Sequence, residues 1–234
     1  MMYSAVESRG TSQRTISGTI GRHASPKKGR AVKRWIDLSC ATIALFVLSP
    51  LLLLSALFIY MEDRGPILFT QERVGRDGRS FRVFKFRSMQ VNDTPVEEMG
   101  QVREDHPMVT RTGKVLRRLK IDELPQLLNV LVGDMSLVGP RPTIREQVER
   151  YDAYERRRLL AVPGVTGWAQ VNGNTRLEWS ERILLDVWYV GNWSLWLDMK
   201  ILVQTIQVIL QGEQRNEAAL LEAVRYADGT CRSG

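Results

Sequence analysis

The sequence predicts a mainly α fold with a small β-hairpin. An N-terminal membrane segment built as helix-break-helix precedes it, and amphipathic helices lie at the membrane interface. Three observations carry this. Leu38 to Met61 has only hydroxyls and one thiol as polar side chains, and Ser49-Pro50 interrupts it at mid-length. "ILFTQERVG" and "SFRVFKFRSM" flank Arg76-Asp77-Gly78-Arg79, a Gly-containing turn between aromatic and β-branched runs. Leu116, Leu119, Leu124, Leu127, Leu128 and Leu131 recur at helical spacing. The chain divides into a basic tail at 1–30, a membrane segment at 31–62 that is either a re-entrant hairpin or a kinked span, a compact domain at 63–211 and a C-terminal tail at 212–234.

Residues 1–30 are rich in Ser, Thr, Gly and Arg without apolar periodicity, which predicts disorder. The apolar run starts too far from residue 1, and is too long, for a secretory signal peptide. Roughly 20 helical residues cross the roughly 30 Å hydrocarbon core, so its length permits a crossing. Pro50 removes one backbone hydrogen bond, and Ser49 can supply its hydroxyl to a carbonyl so freed. Lys27, Lys28, Arg30, Lys33 and Arg34 flank the run on one side, and Arg64, Arg73, Arg76, Arg79, Arg82, Lys85 and Arg87 follow on the other. Basic flanks mark the cytoplasmic side, so both ends favour one face. A hairpin satisfies that; a Pro-kinked spanning helix is the alternative, and physics alone leaves both open.

Further along, residues 90–112 read as a polar mobile loop that closes over a bound ligand. Pro125 suits the first turn of a helix beginning just after Asp122-Glu123, and Gly133 ends it. "SLVGPRP" reads as a loop, residues 144–160 as a charged surface helix, "VPGVTGWAQVNGN" as a loop, and 180–190 and 195–211 as helices. Trp35, Trp188, Tyr189, Trp193 and Trp196 suggest a domain resting on a bilayer, with core packing as the plainer role.

The net charge of +7 suggests an anionic partner: a phosphorylated substrate, lipid headgroups or nucleic acid. Cys40 and Cys231 give no disulfide framework or zinc pattern, and with only His23 and His106 a histidine metal site is excluded. No Walker loop, dinucleotide fingerprint or kinase motif set is present.

Asp122-Glu123 sit among Lys114, Arg117, Arg118 and Lys120. A carboxylate can attack phosphorus to form an acyl phosphate, and a second can help hold Mg²⁺, which takes one or two carboxylates plus substrate phosphates. An ordinary acidic helix cap is the plainer reading. Arg141, between two prolines in Gly139-Pro140-Arg141-Pro142, presents a stiffened guanidinium suited to phosphate. Lys85 and Arg87 share one face of the predicted strand, with Phe84 and Phe86 on the other.

"KRWIDL", the Ser49-Pro50 run, "QERVGRDGRSFRVFKFRSM", "LKIDELPQLLNVLVGDMSLVGPRP", "VPGVTGWAQVNG" and "YVGNWSLWLDMKIL" together resemble the bacterial sugar transferase family over residues 32–211. These are monotopic polyprenyl-phosphate phosphoglycosyl transferases. The resemblance implies transfer of a sugar 1-phosphate from a UDP-sugar donor to polyprenyl phosphate (undecaprenyl phosphate) with release of UMP. This is the first membrane step of exopolysaccharide or O-antigen assembly, at the cytoplasmic face of the bacterial inner membrane. It implies Asp122 as nucleophile, Glu123 as Mg²⁺ ligand and Arg141 as a donor-binding residue. It places Lys85 and Arg87 in a block lining the site, gives Arg117 and Arg118 phosphate contacts, and makes Ser49-Pro50 the break of the re-entrant helix. Membrane lipid is then a partner and nucleic acid is not; a homo-oligomer is compatible with the sequence. Two positions depart from the family: Lys120 stands where Ser or Thr is common, and Asn174 where Arg is common. A basic, membrane-anchored adaptor without catalysis is the alternative class.

Overall fold

The computed structural model describes residues 27–90 and 107–232. Residues 1–26 of the tail expected at 1–30 and most of the loop expected at 90–112 lie outside them, and residues 27–30 of that tail are helical. The first element, α1, is one helix from Lys27–Asp63, of 37 residues, with Pro50 inside it. The sequence predicts a break at Ser49-Pro50; helical structure instead continues through it. The reason is local. Pro50 has no N–H to give the Phe46 carbonyl, and the Ser49 hydroxyl donates to that same carbonyl at 2.7 Å.

α1 is fastened to the rest of the chain along its length. Near its start, Lys33 Nζ donates to Val138 O at 3.0 Å and pairs with Asp198 at 2.5 Å. Arg34 donates to the carbonyls of Val130 and Leu131. Asp37 accepts from Ser136 Oγ at 2.8 Å and Leu137 N at 3.1 Å. Midway, Ala41 is buried against Val83, Leu127, Val130 and Met135. Near its end, Ile59 packs on Phe86 and Leu116, and Asp63 holds the Arg87 guanidinium. Lys33 and Arg34, read from the sequence as a flanking charge cluster, are therefore anchors. The other face of α1 exposes Ile43, Phe46, Val47, Leu53, Leu57 and Phe58.

The expected hairpin forms from β1 (Leu68–Val74) and β2 (Ser80–Phe86), antiparallel, with Asp77 left-handed at the turn. The free edge of β2 is finished by a side chain. Asn129, fully buried, accepts from Phe84 N at 3.0 Å and donates to Arg82 O at 2.7 Å. Asn129 belongs to α3 (Gln126–Val132), so this amide docks α3 onto the strand that carries Lys85.

The leucine-spaced segment is two helices, α2 (Arg111–Arg118) and α3, because Lys120 takes a left-handed conformation with φ 57° between them. A 3-10 turn over Ile121–Glu123 follows, and Gly133, with φ 106°, caps the end of α3 as expected. "SLVGPRP" differs from its expected loop. Ser136–Val138 is β3, paired in parallel with β4 (Gly164–Thr166) from the second expected loop. Gly139 and Gly164 make the pairing possible, since a Cβ on Gly164 would lie 2.1 Å from Gly139 N.

The expected helix at 144–160 is also absent as such. α4 spans only Arg145–Glu149, and Glu155–Leu160 is 3-10 with Arg158 buried. After β4 come α5 (Trp168–Val171), α6 (Trp179–Gly191) and α7 (Leu195–Gln211); the last two match the sequence reading. The C-terminal segment expected as a tail carries α8 (Glu217–Arg232), whose Ala219, Leu220 and Ala223 join Leu185, Tyr189 and Ile201 in the largest core cluster. Trp168 stacks on Trp188, and Trp193 Nε1 donates to Asp198, so those tryptophans and Tyr189 serve packing. Trp35 and Trp196 are exposed, and Trp196 opens an exposed stripe on α7 with Met199, Val203, Ile206 and Leu210, spaced three and four residues apart.

Asn129→Ala removes the partner of the Phe84 N–H and of the Arg82 carbonyl on β2. It is expected to destabilise the fold by about 2–4 kcal/mol, read as a lowered urea midpoint; an unchanged midpoint would show that the amide does not hold the strand.

Candidate functional site

The docking of α3 on β2 decides which charges meet. Glu123 ends the 3-10 turn that leads into α3. Its Oε1 accepts from Lys85 Nζ at 2.8 Å and from Arg141 Nη2 at 2.6 Å, and its Oε2 lies 3.4 Å from Arg141 Nη1. Arg141 reaches Glu123 because its loop is sewn down on both sides. Gly139 N donates to Thr166 O and Gly164 N to Pro140 O, both at 2.9 Å, and Arg158 Nη2 donates to Arg141 O at 2.9 Å.

Asp122, on the same turn, is buried, and its carboxylate accepts no hydrogen bond among the described residues. Burial and then the adjacent Glu123 charge push its pKa up to about 6, against the pull of Lys85, Arg117 and Lys120. Burial also disfavours the Glu123 anion, but Arg141 and Lys85 outweigh it and hold the carboxyl well below the ordinary range. Glu123 in turn raises the Arg141 pKa, while burial lowers that of Lys85 despite Glu123. The two neighbours thus differ: Glu123 is held ionised by two cations on its Oε1, and Asp122 is a carboxyl with no hydrogen-bond partner among the described residues and a pKa raised to about 6.

Arg117, half-buried at the end of α2, acts on Asp122, and its Nη1 is buried with no partner among the described residues. A buried guanidinium nitrogen beside a carboxylate is suited to a further anion. Lys85, Arg117, Asp122, Glu123 and Arg141 therefore converge as the sequence anticipates. Arg87 does not join them. It lies past the end of β2 and turns to α1, bonding Asp63 through both amino nitrogens and Pro66 O through Nε at 2.6 Å. Arg118 is exposed. Ser49 and Pro50 belong to α1, away from this cluster.

The sequence reading misses several contributors. Arg73 of β1 faces the cluster, and burial and then the Arg141 charge lower its pKa to about 10. Arg158, 2% exposed, pairs with buried Asp186 of α6 and bonds Tyr151 OH at 2.5 Å while it holds the Arg141 carbonyl. Its neighbours Arg156 and Arg157 disguise it as part of a charged surface. Glu213, just past α7, bonds both Lys120 and Asn174, so the two positions that depart from the family meet on one carboxylate. Among the described residues no group of three or more His, Cys, Asp or Glu side chains could cage a metal.

Comparison with known proteins agrees with the motifs. A family model described as bacterial sugar transferase matches residues 28–212. The uncharacterized sugar transferase EpsL of Bacillus subtilis (strain 168) is 40% identical over 195 residues, covering 83% of this chain and 95% of that protein. An undecaprenyl-phosphate glucose phosphotransferase of Komagataeibacter xylinus is 46% identical over 190 residues, 75% of this chain and 35% of its own. A UDP-N-acetylgalactosamine-undecaprenyl-phosphate N-acetylgalactosaminephosphotransferase of Aeromonas hydrophila is 47% identical over 189 residues, 77% and 44% respectively. The chain thus spans nearly all of the first relative and less than half of the other two.

The Glu123 carboxyl contributes stability that is complete above its ordinary value of 4.5 and is lost as the pH falls toward its folded-state value. Glu123→Gln is expected to be less stable than the unmodified protein at neutral pH, with the gap narrowing between about pH 5 and pH 3. Thermal midpoints across that range check it, and a gap that widens on acidification contradicts the assignment.

Proposed function

The chain belongs to the bacterial sugar transferase family, and from that premise we propose that it moves a sugar 1-phosphate from a UDP-sugar to undecaprenyl phosphate. The observation that carries this reading is the contrast between paired Glu123 and unpaired Asp122 inside one ring of cations. A free carboxylate among Lys85, Arg117 and Lys120 can meet a dianionic pyrophosphate without charge repulsion and attack it.

In the first step an Asp122 oxygen forms a bond to the β-phosphorus of the donor. The bond from that phosphorus to the bridging oxygen breaks, and UMP leaves with the electron pair. The sugar 1-phosphate remains on Asp122 as a mixed anhydride. In the second step an oxygen of undecaprenyl phosphate attacks the same phosphorus, and the Asp122 carboxylate departs. Arg141 and Arg117 are placed to offset charge on the phosphates, and Lys85 keeps Glu123 ionised beside them. Residues present fit Mg²⁺ in the mode where substrate phosphates supply most ligands, because Glu123 Oε2 has only the 3.4 Å contact to Arg141. Glu123 would hold it, and the ion would neutralise pyrophosphate charge.

The reaction needs a lipid acceptor, and α1 is long and apolar enough to cross a membrane. Fastening at both Lys33 and Asp63 to the same body of structure supports both ends on one face, which we read as the cytoplasmic face of the inner membrane. The exposed apolar faces of α1 and α7 support a body resting in the headgroup layer, where the acceptor phosphate stands.

Purified protein with Mg²⁺ and a UDP-sugar is expected to release UMP and, without acceptor, to accumulate a labelled adduct that Asp122→Asn abolishes. An adduct that survives the substitution sinks the mechanism, and no UMP release from any UDP-sugar sinks the reading. Because the free Asp122 carboxyl titrates near 6, kcat/KM for the donor is expected to fall about tenfold per pH unit below that value and to level off above it.

A further inference from the structure

We propose that Glu213 is a positioning residue for donor binding: it fixes Lys120 and the Asn174-Thr175 turn as one wall of the cleft around Asp122, and so sets donor preference. The inference rests on the function proposed above and deepens it. Glu213 is the first residue beyond the stretch matched by the family model, which ends at 212. It is nevertheless 15% exposed and fully engaged. Its Oε1 accepts from Asn174 Nδ2 at 2.6 Å and Lys120 Nζ at 3.3 Å. Its Oε2 accepts from Thr175 N at 3.1 Å and from Thr175 Oγ1.

With four donors on two oxygens, Glu213 has little capacity left for a ligand, so its effect passes through what it holds. Lys120 and Asn174 both have positive φ, 57° and 44°. Left-handed backbone at a non-glycine residue persists where surrounding contacts over-determine it, and one carboxylate supplies contacts to both. Lys120 stands two residues before Asp122 and is among the cations acting on it. Its side chain is 45% exposed, and its ammonium has further donor directions for a phosphate oxygen or sugar hydroxyl. The Glu213 charge also acts on Arg141 and Arg182, so it reaches the same cluster of charges from just beyond α7.

The carboxylate is itself held from behind. Asn216 bonds Asn172 through side chain and backbone at 2.8 and 3.0 Å, Arg215 clasps Glu181 at 2.7 and 2.9 Å, and α8 buries Ala219, Leu220 and Ala223. UDP-sugars of equal charge differ in their hydroxyls, and a wall of ammonium, amide and hydroxyl groups is the chemistry that reads them.

Glu213→Gln, Lys120→Met and the double variant are compared by UMP release with two UDP-sugars epimeric at one carbon. Both single variants are expected to raise KM for the preferred donor about five- to tenfold and to narrow discrimination between the epimers, with kcat held within about twofold in Glu213→Gln. The double variant is expected to fall short of the product of the two single effects, because the two side chains share the Lys120–Glu213 contact. Unchanged KM and discrimination in Glu213→Gln overturn the inference, as does a fall in kcat and thermal midpoint with KM unmoved. So do fully multiplicative effects in the double variant. Absence of UMP release from the unmodified protein overturns the functional reading, and the inference with it, whereas an active protein with an indifferent Glu213 overturns the inference alone.

Discussion

Glu123 is the contact on which the site depends. Its carboxylate joins a strand, a 3-10 turn and a proline-bounded loop through Lys85 and Arg141. Removing such a charge from water is costly unless it is paired, and here two cations pair it. Pairing one carboxylate so completely leaves its neighbour as the odd charge. Asp122 shares the same burial without a hydrogen-bond partner, which is why two adjacent acidic residues acquire opposite pKa shifts. The chemistry proposed for Asp122 is a consequence of how Glu123 is satisfied.

That geometry is supported by groups lying outside it. Asn129 closes the edge of β2 and so fixes the distance from Lys85 to the turn. Arg158, buried with Asp186, holds the Arg141 backbone, while the close approach of Gly139 to Gly164 sets where that loop leaves β3. On the far side Glu213 ties Lys120 to the turn after α5. Each support is a short polar contact between segments distant in sequence, and each acts on a residue adjacent to the chemistry. The apolar helix α1 belongs to the same scheme, since Lys33, Arg34, Asp37 and Asp63 bind it to β3, α3, α7 and the end of β2.

Much of this was legible in the chain and some was not. The hairpin, the helices α6 and α7 and the Gly133 cap follow from local pattern, because alternation, helical periodicity and a left-handed glycine are properties of a few neighbouring residues. The strands β3 and β4 were hidden, being three residues each and paired across a long separation in sequence. Helix α8 was missed because its charged and small residues resemble a tail until Ala219 and Ala223 are seen against α6. Ser49-Pro50 was read correctly as chemistry and differently as shape: the hydroxyl does replace the lost bond, and that replacement lets the helix continue.

By itself the sequence determined the adjacent acidic pair, the basic surroundings, the apolar N-terminal helix and the family, since residue identity and spacing carry all four. Only the tertiary structure decided that Lys85 and Arg141 take Glu123 and leave Asp122 free, that Arg87 serves α1 instead of the site, and that Arg158 and Glu213 serve the site at all. The physical reason is that a charge acts over a few ångströms of space. Which charges come that close is set by packing between segments as much as 165 residues apart, as between Lys33 and Asp198.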